Sequence, residues 1–216
     1  MLNVYIDRMF CENLRFAFLV TLVSIIILHT LSSQRGWAAN INCPNISSTC
    51  YGTPYDDIIF ASSVQFNVVH GMGGNDFIRG YSNVPNIIYG DDGNDILLGG
   101  ANDDTMFGGR GSDKYEGGFG DDTILEDTIN AGYVGTLLNN DDMISGGEGD
   151  DYIQSGEGVD RIHTGPGNDF IYPNGYYRDF SFDTADCGSG AADKIFIYSG
   201  DPDIAPNCEL ITNLDR

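Results

Sequence analysis

Along most of this 216-residue chain, single apolar residues recur every nine positions, each one after a turn sequence rich in Gly and Asp. A fixed repeat period is the first signal of a solenoid. Weaker copies of the pattern begin at Gly52 and surround Asp142. One strong copy, GMGGNDFIR, begins at Gly71. A contiguous block of four follows: GDDGNDILL from Gly90, GGANDDTMF from Gly99, GGRGSDKYE from Gly108 and GGFGDDTIL from Gly117. A contiguous block of three comes later: GGEGDDYIQ from Gly146, SGEGVDRIH from Ser155 and TGPGNDFIY from Thr164.

Each copy predicts a six-residue turn followed by a three-residue strand. The glycines allow the positive φ angles of a tight turn, and the alternation of side chains across a strand leaves one apolar residue facing inward. Single-residue insertions near His70 and within 80–89 are predicted to bulge out as loops. The predicted inward positions are Ile59, Ile78, Leu97, Met106, Tyr115, Ile124, Ile144, Ile153, Ile162 and Ile171, with Val68 and Ile88 in two weaker copies.

One inward residue per nine makes a thin core, and this thinness points to a metal. Ordering a residue costs about 1–2 kcal/mol of backbone entropy, whereas one buried Ile or Leu returns roughly 1.5–3 kcal/mol. A further stabilising term is therefore needed, and a cation shared between turns would supply it. Calcium fits best, because it accepts six to eight hard oxygen ligands, including backbone carbonyls, in flexible geometry.

The composition agrees with cation binding. The chain has 26 Asp and 6 Glu against 10 Lys plus Arg, for a formal net charge of −22, and it has 29 Gly. Such a surface repels nucleic acid and anionic lipid. A disordered acidic chain normally has few aromatic residues, but this one has 12 Phe and 12 Tyr.

The first residues are typical of an export signal. Arg8 and Arg15 precede an apolar run over 16–31, and small residues follow at Ala38 and Ala39. We expect cleavage after Ala38 or Ala39 and no membrane attachment afterwards, although a retained anchor is the alternative. The predicted location is secreted, extracellular or at the cell surface, with the periplasm left open.

Four cysteines remain after the leader, one close pair at each end of the chain. In an exported protein, an even set predicts disulfides. The expected connectivity is Cys43 with Cys50 and Cys187 with Cys208, although four cysteines also allow two other pairings. A zinc site is the alternative, but the spacing lacks paired CxxC or CxxH elements.

These repeats resemble the RTX repeat, whose consensus is GGxGxDxUx with U apolar, over about 52–172. The resemblance implies an all-β fold, a right-handed parallel β-roll or β-solenoid, that binds several Ca²⁺ ions. Each ion would lie between turns one coil apart and be held by the sixth-position Asp of both turns together with turn carbonyls. The most credible pairs are Asp76 with Asp95, Asp95 with Asp113, Asp104 with Asp122, and Asp151 with Asp169, and a weaker pair is Asp142 with Asp160. The glycines whose turns would supply the carbonyls are Gly71, Gly90, Gly99, Gly108, Gly117 and Gly146.

The segment 186–209 is similar to the closing element of bacterial RTX proteins, in which two cysteines bracket the last rung. Asp193 is its candidate carboxylate, whereas Asp57 is a marginal ligand near the start. The domain organisation expected is a signal peptide at 1–38, a disulfide-bonded cap at 39–51, the calcium-binding β-roll at 52–172 and a disulfide-closed C-terminal cap at 173–216.

Three classes of function fit these features. We favour a non-enzymatic, calcium-dependent structural or interaction module, with calcium as its partner and a cell-surface glycan or protein as a further possibility. The alternatives are a surface adhesin or carbohydrate-binding protein, since aromatic residues recur beside the strands, and a polysaccharide-modifying enzyme on a β-solenoid. His70 and His163 are expected to be isolated surface or turn residues, because no HExxH or GxSxG motif accompanies them.

Overall fold

The computed structural model describes residues 38–43, 49–62, 67–125, 141–156, 158–172, 183–190, 192–197, 207–208 and 210–213. The predicted export signal lies outside these residues except for Ala38. All of them belong to one compact unit, Ala38–Arg216. This part of the chain consists of strands and turns. Within it, we find no helix of the length and hydropathy that a membrane crossing requires.

Within the described residues, seventeen short strands form two parallel sheets, and the chain alternates between the sheets at almost every turn. Sheet A contains β1 (Asn40–Asn42), β3 (Ile58–Phe60), β5 (Phe77–Arg79), β7 (Ile96–Gly100), β9 (Lys114–Phe119), β11 (Met143–Glu148), β13 (Arg161–His163) and β15 (Thr184–Asp186), in that spatial order. Sheet B contains β2 (Thr49–Tyr51), β4 (Asn67–His70), β6 (Asn86–Asp92), β8 (Thr105–Arg110), β10 (Thr123–Leu125), β12 (Tyr152–Gln154), β14 (Phe170–Tyr172), β16 (Lys194–Ile197) and β17 (Leu210–Asn213). The predicted all-β parallel solenoid is therefore confirmed.

The strand register places one inward residue of each coil directly above that of the next. Ile78 pairs with Leu97 in sheet A, and Ile124 pairs with Ile153 in sheet B. All ten residues predicted at the strong inward positions are buried, and Ile88 is also buried. The core is thus one narrow column of side chains between the two sheets.

One inward residue was predicted wrongly. Val69, not Val68, is fully buried in β4, and it pairs with Ile88 of β6. The cause is an extra residue in this half-coil, which separates Ile59 from Val69 by ten positions instead of nine. The second extra residue falls in the turn 81–85 before β6, where the Asn86 side chain closes the loop by donating to the carbonyls of Tyr81 at 3.2 Å and Val84 at 3.0 Å.

Strands outside the strong repeats extend the same two sheets. β1 and β2 lie within the predicted N-terminal cap, and β15, β16 and β17 lie within the predicted C-terminal region. A disulfide is present at each end, joining Cys43 to Cys50 and Cys187 to Cys208. The predicted connectivity is therefore confirmed.

Candidate metal centre

The turns that connect the sheets place buried aspartates in two rows, one along each edge of the solenoid. Each of these aspartates immediately precedes a strand, and each is at most 4% exposed. The row before the strands of sheet A, called row A, is Asp57, Asp76, Asp95, Asp113, Asp142, Asp160 and Asp183. The row before the strands of sheet B, called row B, is Asp104, Asp122, Asp151, Asp169 and Asp193, and Asn67 and Asn86 occupy its first two described places.

One carboxylate oxygen of each row member binds the backbone of the preceding coil. The N–H of Asp76 donates to Oδ1 of Asp95 at 2.7 Å, and the N–H of Asp95 donates to Oδ1 of Asp113 at 2.7 Å. This bond satisfies a buried backbone donor that the strand ladders do not use. The same bond joins Asp57 to Asp76, Asp113 to Asp142, Asp142 to Asp160 and Asp160 to Asp183 in row A, and Asn86 to Asp104, Asp104 to Asp122, Asp122 to Asp151, Asp151 to Asp169 and Asp169 to Asp193 in row B.

The other carboxylate oxygen points into the turn. Oδ2 is buried and makes no hydrogen bond with any described residue in Asp76, Asp95, Asp104, Asp113, Asp122, Asp151 and Asp193. A buried carboxylate oxygen without a partner is costly, because ionised groups are retained inside proteins when a donor or a cation compensates them. The turns therefore present buried carboxylate oxygens that a bound cation would compensate.

The first-position glycines form the opposite wall of each turn. A Cβ atom at Gly71 would collide with Oδ2 of Asp76 and would lie 2.5 Å from the carbonyl oxygen of Gly90 in the next coil. At Gly99, the corresponding contacts are 2.6 Å to Asp104 Oδ2 and 2.6 Å to the carbonyl oxygen of Gly117. Glycine leaves the space in which a carboxylate oxygen and a carbonyl oxygen face each other. The glycines predicted in the sequence all line these turns.

Burial raises the pKa of seven of these carboxyl groups above the usual 3.8, those of Asp76, Asp95, Asp104, Asp113, Asp122, Asp151 and Asp169. Desolvation is the largest cause for each, neighbouring carboxylates add to it for most of them, and a hydrogen bond from the backbone partly opposes it. The pKa is raised to about 8 for Asp95 and Asp122, to about 7 for Asp76, Asp113 and Asp151, and to about 6 for Asp104. A bound cation would reverse this preference, because positive charge favours the ionised form.

The fifth-position side chains form a separate, outer ladder. Oδ1 of Asn75 accepts the N–H of Asn94 at 2.8 Å, and Oδ1 of Asp121 accepts the N–H of Asp150 at 2.9 Å. Here each side-chain oxygen accepts an N–H of the following coil, whereas in the buried rows each carboxylate accepts an N–H of the preceding coil. The fifth-position oxygens thus accept backbone N–H groups of the neighbouring turn.

Every predicted aspartate pair is brought together across adjacent coils, including the weaker pair of Asp142 and Asp160. The structure adds two pairs that span the irregular sequence 126–140, Asp113 with Asp142 and Asp122 with Asp151. It also adds Asp183, whose preceding sequence lacks the glycine pattern, and it places Asp193 beside Asp169. Asp57 differs at its other oxygen: Oδ1 accepts the N–H of Ala39 at 2.7 Å like the other row members, but Oδ2 accepts the N–H of Thr53 at 2.5 Å.

The donor set fits calcium. Each turn offers carboxylate and carbonyl oxygens, which are the hard ligands that this ion prefers. Among the described residues no three His, Cys, Asp or Glu side chains gather into one cluster. A site here would therefore combine carboxylates of adjacent coils with backbone carbonyls, and it would not suit metals that require several imidazole or thiolate ligands.

Both described histidines lie on the outer surface at the ends of strands, and each is close to a carboxylate. His70 lies in β4 with Nδ1 3.4 Å from Oδ2 of Asp91, and His163 lies in β13 with Nδ1 3.3 Å from Oδ2 of Asp186. Both side chains are on the outer faces of the sheets, away from the buried rows.

Aromatic rings on the outer face of sheet B stack on one another along the solenoid. His70 and Tyr89 have centroids 4.4 Å apart and planes 3° apart, and Tyr89 and Phe107 have centroids 4.7 Å apart and planes 6° apart. Tyr51 extends the stack beyond His70. Neighbouring rings cover each other's faces, which favours a role in joining coils over a role in binding sugars.

Comparison with protein families gives one match. Residues 64–83, 86–124 and 138–171 match the model of the RTX calcium-binding nonapeptide repeat, in four copies. No match is found among curated proteins or among solved structures. The matched residues include most of both buried rows, whereas Asp57, Asp183 and Asp193 lie outside them.

Proposed function

Since this chain carries RTX calcium-binding nonapeptide repeats, we propose that it is an exported structural or interaction module that folds when Ca²⁺ ions bind in its turns. The observation that carries the proposal is the pair of buried aspartate rows, whose Oδ2 atoms face first-position glycines and carbonyls of the next coil. The ligands proposed are the sixth-position aspartates from Asp76 to Asp169, with the turn carbonyls beside them. Several ions would bind along the two rows.

Electrostatics supports a requirement for cations. Adjacent coils of a parallel sheet are about 4.8 Å apart, so neighbouring ionised carboxylates would repel each other by about 3 kcal/mol at an effective dielectric constant of about 20. The formal charge of −22 adds a long-range repulsion. Cations between the coils would remove both effects while the thin core supplies the remaining stability.

Each bound calcium ion is expected to add little to the folding stability, but several ions together add a large amount. Extracellular calcium modules have dissociation constants of about 0.1–1 mM, and a site of 0.1 mM affinity at about 1 mM calcium contributes about 1.4 kcal/mol. A handful of such sites would contribute several kcal/mol, which is comparable with the stability of a whole domain. Folding would therefore respond cooperatively to calcium in the millimolar range.

Export is supported by the two disulfides and by the leader-like sequence. Disulfides persist in oxidising compartments, where calcium is also abundant. A protein made in a calcium-poor cytoplasm would remain unfolded there and fold after export. The described chain supplies no observation that favours the adhesin or the polysaccharide-modifying enzyme over this module.

A calcium titration followed by far-ultraviolet circular dichroism tests the proposal. We expect a cooperative gain of β structure with calcium and a much smaller gain with magnesium, which demands a tight octahedron. Asp122→Ala should lower the cooperativity of this transition. Arg110→Ala is the matched control, because that side chain is 67% exposed and contacts Asp92 at 3.7 Å on the surface. Identical titrations for the two variants would contradict the assignment of ligands.

A further inference from the structure

Tyr115 occupies an inward position in β9 at which neighbouring strands carry aliphatic residues. Its register partners are Leu97 of β7 and Ile144 of β11. The Tyr115 side chain is 1% exposed. Among the buried middle residues of β3 to β16, it is the one that carries a hydroxyl group. The phenol brings a polar oxygen into a column whose other members in β3 to β16 are aliphatic or, at Met106, a thioether.

The hydroxyl of Tyr115 reaches out of the core into the turn 108–113. A Cβ atom at Gly108 would collide with the Tyr115 hydroxyl oxygen and with Oδ2 of Asp113. The equivalent Cβ atom at Gly90 would meet Oδ2 of Asp95 and would lie 2.5 Å from the carbonyl oxygen of Gly108. The phenol oxygen therefore stands in the same space as the carboxylate and carbonyl oxygens that form the proposed calcium ligands.

The turn 108–113 also has an unusual neighbour in the next coil. The N–H of Asp113 donates to Oδ1 of Asp142 at 2.7 Å, across 29 residues instead of the usual 18 or 19. The sequence directly before Asp142, Leu137–Asp141, contains no glycine. The repeat motif thus does not supply its normal set of glycine carbonyls on that side of the site, and a further oxygen from Tyr115 would compensate.

We propose that Tyr115 is a further ligand of one calcium site, at which its hydroxyl adds an oxygen beside the Asp113 carboxylate. The inference rests on the proposed function, because it assigns a further ligand to one of the proposed sites. A neutral phenol oxygen is a hard donor that suits Ca²⁺ and adds no negative charge to an already crowded row. This site therefore differs chemically from the other turns of both rows.

Tyr115→Phe tests the inference, because it removes the oxygen and keeps the ring that fills the core. The matched control is Tyr152→Phe, which removes a hydroxyl from a ring stacked on Phe170 on the outer face of sheet B. We expect Tyr115→Phe to weaken one calcium site by about tenfold, the change that corresponds to losing one contact of about 1.4 kcal/mol. Calorimetric titration would measure this effect as one fewer tight site.

Terbium luminescence excited through tyrosine gives a second measurement. Tb³⁺ is a hard, oxygen-seeking ion that replaces Ca²⁺, and a tyrosine next to it sensitises its emission. Tyr115→Phe should lose a large share of this emission, whereas Tyr152→Phe should retain it. Tyr115→Leu is a second variant that removes the hydroxyl, in case the phenylalanine variant folds imperfectly. It introduces the residue type found at the paired position, Leu97 of β7, and should lose the same share of the emission.

The outcomes separate the two proposals. If the unmodified protein binds no calcium, the proposed function fails, and the Tyr115 inference fails with it. If the unmodified protein binds calcium but Tyr115→Phe matches Tyr152→Phe in ion count, half-saturation and terbium emission, only the Tyr115 inference is overturned.

Discussion

The backbone N–H of Asp122 donates a 2.8 Å hydrogen bond to Oδ1 of Asp151, although the two residues are 29 positions apart in sequence. The preceding bond of the row, from Asp104 to Asp122, has the same length across 18 positions. The register of the coils is therefore independent of the length of the irregular sequence 126–140. Strand pairing and the aspartate hydrogen bonds together determine which turns become neighbours. The nine-residue period identifies neighbouring turns only where no residues are inserted.

This relationship predicts a large effect for Asp151→Asn and a small one for Asp150→Asn. Asp151 is buried with Oδ2 directed into the turn, whereas Asp150 is exposed and accepts the N–H of Asn168 at 2.8 Å in the outer ladder. An amide keeps the shape and the bond to Asp122 but removes the charge that attracts a cation. We expect the calcium midpoint measured by circular dichroism to rise several-fold for Asp151→Asn alone. Equal shifts for the two variants would contradict the assignment of the inner row as ligands.

The raised pKa values predict how metal-free protein responds to pH. Burial raises the pKa of Asp95 and Asp122 to about 8, so the folded state binds more protons than the unfolded state, in which the pKa is about 3.8. Their contribution to stability is fully present below about pH 4 and is lost as the pH rises through about 8. We expect calcium-free protein to retain more β structure near pH 5 than near pH 8.5.

Calcium should remove most of this pH dependence, because it competes with protons for the same oxygens and releases them on binding. Circular dichroism of calcium-stripped protein across this range, with and without added calcium, checks both statements. A metal-free β signal that strengthens steadily from pH 5 to pH 8.5 would be opposite to the expected sign.

The second residue of the copy that begins at Gly71, Met72, is the site of a predicted stabilising substitution. Most copies have glycine there with a positive φ, such as Gly109 at 100° and Gly118 at 119°, but Met72 adopts 81°. A positive φ strains a side chain that has a Cβ atom by about 1–2 kcal/mol, and Met72 is 48% exposed, so its side chain returns little packing energy. We expect Met72→Gly to raise the free energy of unfolding by about 1 kcal/mol in calcium, as measured by denaturant titration. Met72→Ala is the control and should give no comparable gain, because it keeps the Cβ atom.

The disulfides predict unequal losses at the two ends. Cys187 and Cys208 close a loop with a sequence separation of 21, and Cys43 and Cys50 close one with a separation of 7. Loop-closure entropy then assigns about 3 kcal/mol to the C-terminal disulfide and about 2 kcal/mol to the N-terminal one. Replacing both cysteines of a pair with serine should lower the free energy of unfolding in calcium by these amounts. A greater loss at the N-terminal pair would show that loop entropy is not the main contribution.

The repeat period predicted a solenoid and its inward core column, and the resemblance to the RTX repeat implied the parallel β-roll and the aspartate pairs of adjacent coils. Residues such as Ile124 and Asp122 follow from the period, because turn chemistry and strand alternation impose the same nine-residue spacing. The error at Val68 and Val69 arose where one added residue shifted the inward position within a pair of adjacent valines. Either residue fits an inward position, so only the pairing with Ile88 decides between them.

The remaining members of the site lacked a sequence signal. Asp183 follows FSF instead of a glycine-rich turn, so its place in row A depends on the pairing of β13 with β15. Asn86 occupies a position of row B in a copy that lacks the repeat motif. Its side-chain amide closes the enlarged loop through hydrogen bonds that a carboxylate could not donate. The role of Tyr115 could be recognised only in three dimensions, because an aromatic residue at an inward position is ordinarily explained by packing.

Native mass spectrometry, combined with circular dichroism of the same calcium-stripped and calcium-loaded samples near pH 8, tests the central claim most directly. The account predicts that the ordered protein carries several calcium ions and that stripped protein has lost its β signal. Protein that is free of bound metal and still fully ordered at this pH would contradict the claim that cations between the coils hold the solenoid together.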